Sequence, residues 1–180
     1  MTTGHIMMAM SLDGFVARPD HTLDWLNKQN TDGEDHGFVE FQDSMDMIVM
    51  GSGSFRTVSG FGGWGYSIPG IIMSRSMTND DLPEDIRDQV EVTSLEPAAL
   101  MASLAERGIK RVYVDGGAII QSFIKADLIE DMRITMVPIL LGEGIRIFGT
   151  NEKDMDLELV SATPFPSGLV DLVYTVKRGD

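Results

Sequence analysis

Two stretches of this chain end an apolar run on glycine and continue in a helical pattern. IVMG, residues 48–51, leads into SGSFRTV, and VYVDGG, residues 112–117, leads into AIIQSFI. The first turn of a helix leaves backbone N–H groups without intrahelical partners, and together with the helix dipole these favour an anion. Glycine lets such an anion approach the main chain. In an open parallel sheet the crevice at the carboxyl ends of the strands is where ligands settle, so two such junctions facing one crevice can hold a diphosphate with few lysines. The alternative is that Gly51, Gly116 and Gly117 serve only tight turns or close helix packing, since neither stretch is a Walker loop or a GxGxxG fingerprint.

Candidates for proton transfer are fewer. GEDHGFVEF, residues 33–41, offers Glu34, Asp35 and Glu40, each of which also suits a helix start or a solvated face. SLDG, residues 11–14, contains Asp13, but Asp-Gly is a strong turn former and its carboxylate is expected to bond neighbouring N–H groups. His5, His21 and His36 are scattered without ligand spacing and cysteine is absent. No metal site, disulfide or thiol nucleophile is therefore expected. Fourteen basic against twenty-eight acidic residues give a formal charge of −14, with the basic residues dispersed along the chain. That balance argues against nucleic acid or an anionic membrane surface as a partner. No run approaches the roughly 20 apolar residues of a membrane span and no secretory leader is recognisable, so the expected location is cytoplasmic.

The elements that must position these residues are short apolar runs: HIMMAM, DMIVMG, GIIMS, VEVTSL and RVYVDG, alternating with helical or irregular stretches. This rhythm predicts an α/β domain spanning residues 1–180 with a largely parallel sheet covered on both faces. Helices are expected at about 35–45, 97–107 and 118–126; in the second, Pro97 sits where a first-turn proline belongs and Gly108 where a helix stops. GFGGWGYSIPG, residues 60–70, reads as an irregular loop. The last third turns strand-rich, and PSG at 166–168 predicts an antiparallel closing hairpin. Thirteen methionines suggest an adaptable core.

MAMSLDGFVA, MIVMGSGSF, IIMSR, the block VYVDGGAIIQSFIKADLIEDMRITMVPILLGEGIRIF and the closing hairpin, in that order, resemble the dihydrofolate-reductase-like superfamily. The resemblance is greatest to its branch of bacterial riboflavin-biosynthesis (RibD) C-terminal reductase domains. It covers nearly the whole chain and implies a three-layer α/β fold, an often homodimeric protein, and NADPH bound in an extended pose with its phosphates at two helix N-termini. Carried over residue by residue, it implies Gly51, Ser52 and Ser54 at one phosphate end and Gly116, Gly117, Ala118 and Ile119 at the other. On this reading the glycine pair clears room for the cofactor. Ser74 and Arg75 fall where relatives hold the adenosine ribose and its 2′-phosphate, and Ala9, Val16 and Ala17 where they pack on the nicotinamide. Counting back from Gly51 puts Asp35 at the carboxylate that assists protonation in dihydrofolate reductases.

The chain also departs from that pattern. Ser52 stands where relatives usually carry arginine, with Arg56 about one helical turn on as a possible substitute; Met7 replaces a lysine on the first strand, Phe15 a polar residue after SLDG, and Asp131 a glutamate. Trp25, Phe38, Trp64 and Tyr66 are candidates to stack on a flat ring. The resemblance implies an NADPH-dependent reductase of a small heterocycle, a pyrimidine or pterin, similar to 5-amino-6-(5-phosphoribosylamino)uracil reductase. The alternatives are dihydrofolate reduction and a nucleotide-binding protein of the same fold without turnover.

Overall fold

A computed structural model describes residues 1–60, 62–151 and 153–178. Ten strands are present among the described residues: β1 (Thr3–Ser11), β2 (Phe15–Ala17), β3 (Met47–Gly51), β4 (Gly70–Met73), β5 (Val90–Thr93), β6 (Arg111–Asp115), β7 (Ile129–Val137), β8 (Ile145–Arg146), β9 (Leu157–Pro164) and β10 (Val170–Val176). They alternate with helices α1 (Asp24–Asn27), α2 (Phe38–Asp43), α3 (Ser52–Ser59), α4 (Pro97–Glu106) and α5 (Gly117–Lys125).

Eight strands form one sheet in the order β5-β4-β3-β6-β1-β7-β10-β9. The first six run parallel, and β10 and β9 complete the sheet antiparallel. This is the mostly parallel sheet with an antiparallel C-terminal hairpin that the sequence predicts. β3 and β6 read as continuous apolar runs because both their faces are covered. On one face α4 and α5 press Leu100, Met101, Leu104, Ile120, Phe123 and Ile124 against Ile6, Val49, Val112 and Val114. Each such side chain contributes roughly 1.5–3 kcal/mol on burial. The other face is covered by Phe41 of α2, Phe55 of α3, Trp64 and the turns carrying Leu82 and Ile86.

α4 begins on Pro97 and is followed by Gly108 at φ +81°, as expected. α2 is shorter than expected: Gly37 at φ +71° is its N-cap and Asp35 stays outside, so the helix starts at Phe38 rather than Asp35. β2 and β8 form a separate antiparallel pair that the sequence pattern does not signal. No helix among the described residues is long and apolar enough to cross a membrane.

Candidate active site

The carboxyl ends of β3 and β6 lie side by side, with Met50 opposite Asp115. α3 leaves β3 at Gly51 and α5 leaves β6 at Gly116, and neither N-cap makes a side-chain capping bond or has an acid in its first turn. The leading N–H groups of both helices are thus left open toward a common cavity of ≈ 490 Å³. A volume of this order suits a small-molecule site. Its floor is Gly116, Gly117, Ala118 and Ile119; Gly51, Gly53, Ser54 and Thr57 form one wall, and Val16, Ala17 and Ile145 the other. Phe38, Tyr66 and His21 reach in from three covering segments.

The β2–β8 wall is held by Asp13. Its carboxylate accepts hydrogen bonds from Ser11 Oγ (2.6 Å), Leu141 N (3.0 Å) and Gly142 N (2.7 Å). The Ser11 bond, with the two amides, holds the carboxyl down at about 2 against the opposing effect of desolvation. The bonded amides lie 128 and 129 residues along the chain. SLDG is therefore a clasp between distant segments, not the purely local turn expected. Arg146 extends over the Phe15 ring at 4.7 Å, placing a cation beside the position where this chain departs from the polar residue of relatives.

Among the described residues one carboxylate lines the cavity, Asp115 at the end of β6. Tyr113 Oη donates to Asp115 Oδ1 (3.2 Å) and to the Met7 carbonyl (3.0 Å). The Ser54 hydroxyl and the Gly116 N–H also favour its ionised form. One side of the group opens on the cavity while protein surrounds the rest. Burial pushes its carboxyl up to about 6, although those three hydrogen bonds pull the other way. Burial, and secondarily Asp115, raises the hydroxyls of Tyr66 and Tyr113 above the usual tyrosine value, keeping both neutral.

Of the residues singled out in the sequence, Val16, Ala17, Gly51, Ser54, Gly116, Gly117, Ala118 and Ile119 line this cavity. Ser74 and Arg75 line a smaller depression of ≈ 180 Å³ that shares Ala118 and Ile119 with it. The two therefore adjoin across the start of α5. Arg75 is highly exposed and paired with Glu96 at 3.0 Å. Ala9 does not line the cavity; it packs beside the buried Trp25. Ser52 opens α3 without lining the cavity, while Arg56 lies in a neighbouring exposed depression with His21.

Asp35 stays outside this cavity. It is exposed and accepts a hydrogen bond from Gly37 N (2.8 Å) at the entry to α2. Glu34 next to it is held by Ser167 N and Oγ, at 2.8 and 2.7 Å. Among the aromatic candidates, Phe38 and Tyr66 reach the cavity, but Trp25 and Trp64 are core. The Trp64 ring lies where a Cβ on Gly70 would be, and its Nε1 donates to Ile68 O (2.7 Å).

The glycine pair also needs a different explanation. Gly116 has φ +88°, and a Cβ there would fall on Ser54 Oγ; at Gly117 it would come within 2.5 Å of the Arg146 carbonyl. The space is required by the protein's own atoms before any ligand is considered. Asp115 is not among the site residues that the sequence pattern predicts, although it stands inside the glycine junction. A lone acid closing a buried apolar strand was the available signal.

The family model of the RibD C-terminal domain matches residues 66–170. A protein from Shewanella sp. PV-4, provisionally assigned to riboflavin biosynthesis, is 34% identical with a TM-score of 0.91, over 98% of this chain and 100% of its own. The uncharacterized protein YwjB of Bacillus subtilis is 27% identical over 161 residues, 85% of this chain and 87% of its own length. A pyrimidine reductase-like protein from Corynebacterium diphtheriae shares the fold with a TM-score of 0.66 at 16% identity, over 99% of this chain and 93% of that one.

Proposed function

Because the chain belongs to the RibD C-terminal domain family, we propose that it is an NADPH-dependent reductase of a small heterocyclic substrate. The observation that carries this reading is that α3 and α5 both open, uncapped and free of first-turn acids, onto one cavity. Such ends suit a dinucleotide's phosphates without cationic side chains, and among the described residues no Lys or Arg lines the cavity. The adjoining depression at Ser74 and Arg75 provides for an adenosine end, with the nicotinamide end toward Val16 and Ala17.

When bound, NADPH supplies a hydride. The protein's work is to exclude water, orient the reacting partners and manage a proton. Val16, Ala17 and Ile145 form an apolar wall, and Phe38 and Tyr66 offer faces for a flat ring. For dihydrofolate reduction the Asp35 carboxylate is not on the cavity lining, so that alternative has less support from the site. Homodimerisation remains part of the proposal. β9 is an edge strand whose eight residues are all exposed, including Leu159 and Val160, a surface suited to covering by a second copy.

The test is thermal unfolding with NADPH and NADH, followed by turnover of a pyrimidine and pterin panel. NADPH at 100 times its dissociation constant is expected to add about 2.7 kcal/mol. No stabilisation at millimolar cofactor would overturn the reading.

A further inference from the structure

We propose that Asp115 is the catalytic acid of this cavity: it gives up the proton that accompanies hydride transfer and then, as a carboxylate, faces the positive charge of the oxidised nicotinamide. The inference rests on the reductase reading above and goes beyond it by assigning the proton.

The geometry leaves few other donors. Among the described residues Asp115 is the one carboxyl on the cavity lining, with Tyr113 Oη 3.2 Å from its Oδ1 and the Ser54 hydroxyl and Gly116 N–H pulling its proton affinity down. Of these only the Gly116 N–H is solely a donor; the Tyr113 and Ser54 hydroxyl oxygens also accept, so they can hold the carboxyl's proton until a basic cavity ligand takes it. Tyr113 and Tyr66 face Asp115, and both are held neutral with their hydroxyls raised, which makes them weaker acids than ordinary tyrosines. His21 is the remaining titratable side chain on the lining, and it sits on an exposed loop against Gly53. A carboxyl held up at about 6 is poised for proton transfer near neutral pH.

For a C=N substrate the step balances as follows. A hydride from the reduced nicotinamide forms a C–H bond at carbon, the C=N π pair moves to nitrogen, and nitrogen takes the Asp115 proton. The substrate gains two electrons and becomes CH–NH, the cofactor loses two, and the Asp115 carboxylate recovers its proton from water. Oxidised cofactor and ionised Asp115 therefore belong to one state, reduced cofactor and neutral Asp115 to the other. Linkage makes this measurable without a substrate: binding the cationic ring must favour deprotonation.

The experiment is calorimetric titration of the full chain with NADP⁺ and with NADPH, near pH 6, in two buffers of different ionisation enthalpy. NADP⁺ is expected to release about half a proton more than NADPH, and the NADP⁺-to-NADPH affinity ratio to rise roughly tenfold between about pH 5 and 7.5. The 2′-phosphate is common to both ligands and cancels. Asp115→Asn must bind both cofactors and abolish the difference, while His21→Gln must preserve it. Tyr113→Phe, which removes one bond that lowers the carboxyl, must move the midpoint to higher pH and provides the test if Asp115→Asn does not fold. Equal proton release for the two cofactors, or a difference that survives in Asp115→Asn or disappears in His21→Gln, overturns the assignment of Asp115. Failure of the wild-type chain to bind either cofactor overturns the reductase reading itself.

Discussion

Burial of Asp115 has a consequence for stability that involves no ligand. Its carboxyl is raised from 3.8 to about 6, with desolvation as the largest cause, so the folded chain holds this proton more tightly than the unfolded one. Between those values the native state keeps a proton that the unfolded state has lost. The contribution is fully present below pH 3.8 and is lost as pH rises through about 6. Its full size is about 3 kcal/mol, of which about 2 kcal/mol falls between pH 4.5 and 8. Asp115→Asn cannot ionise and escapes this loss. Its amide offers one acceptor oxygen where the carboxylate offers two, and its NH2 must find a hydroxyl lone pair, a change that costs about 1–3 kcal/mol at every pH. The variant is therefore expected to be less stable than wild type in acid and to gain about 2 kcal/mol on it by pH 8, or roughly 4–8 °C in melting temperature for a chain of this size. Urea unfolding at half-unit pH steps, followed by tryptophan fluorescence, measures the difference directly, and carboxylates far from the site cancel in it. A stability difference that stays level from pH 4.5 to 8 would refute the claim that burial controls this carboxyl.

Gly116→Ala is expected to cost about 2–4 kcal/mol in urea unfolding, because it combines a left-handed φ of +88° with displacement of the Ser54 hydroxyl. In a Ser54→Ala background the cost should fall to the backbone share, about 1–2 kcal/mol; equal costs in both backgrounds would remove Ser54 from the explanation. Asp13→Ala leaves the Leu141 and Gly142 amides without their acceptor, so amide exchange at 141 and 142 should speed up and the melting temperature drop. The stabilisation this carboxylate provides is present above pH 3.8 and lost as pH falls toward 2, the reverse of Asp115. Glu96→Gln frees Arg75 from its 3.0 Å partner; the ratio of NADPH to NADH affinity should rise several-fold if Arg75 meets the 2′-phosphate, and stay constant otherwise.

The mostly parallel sheet and its closing hairpin were accessible from sequence because their signals are local. Five short apolar runs separated by helical stretches imply parallel neighbours, and the PSG turn imposes the closing hairpin between β9 and β10. The two glycine junctions were equally plain, since a strand ending on glycine ahead of a helix is written in a few consecutive residues. What those residues touch was not. Asp35 and Asp115 are both acids near helix starts, and only the folded chain places one in solvent and the other in a cavity wall. The proton affinity of Asp115 is raised by burial against the opposing hydrogen bonds of Tyr113, Ser54 and Gly116, and no short sequence window contains Ser54 together with the others. The same holds for Asp13, whose amide partners lie more than a hundred residues away, and for Trp64, whose ring is spoken for by Gly70. Composition and periodicity by themselves determined the sheet and the two openings in it. The close approach of residues distant in the chain decided which acid faces the cavity, because burial and hydrogen bonding are properties of surroundings that only the tertiary structure assembles.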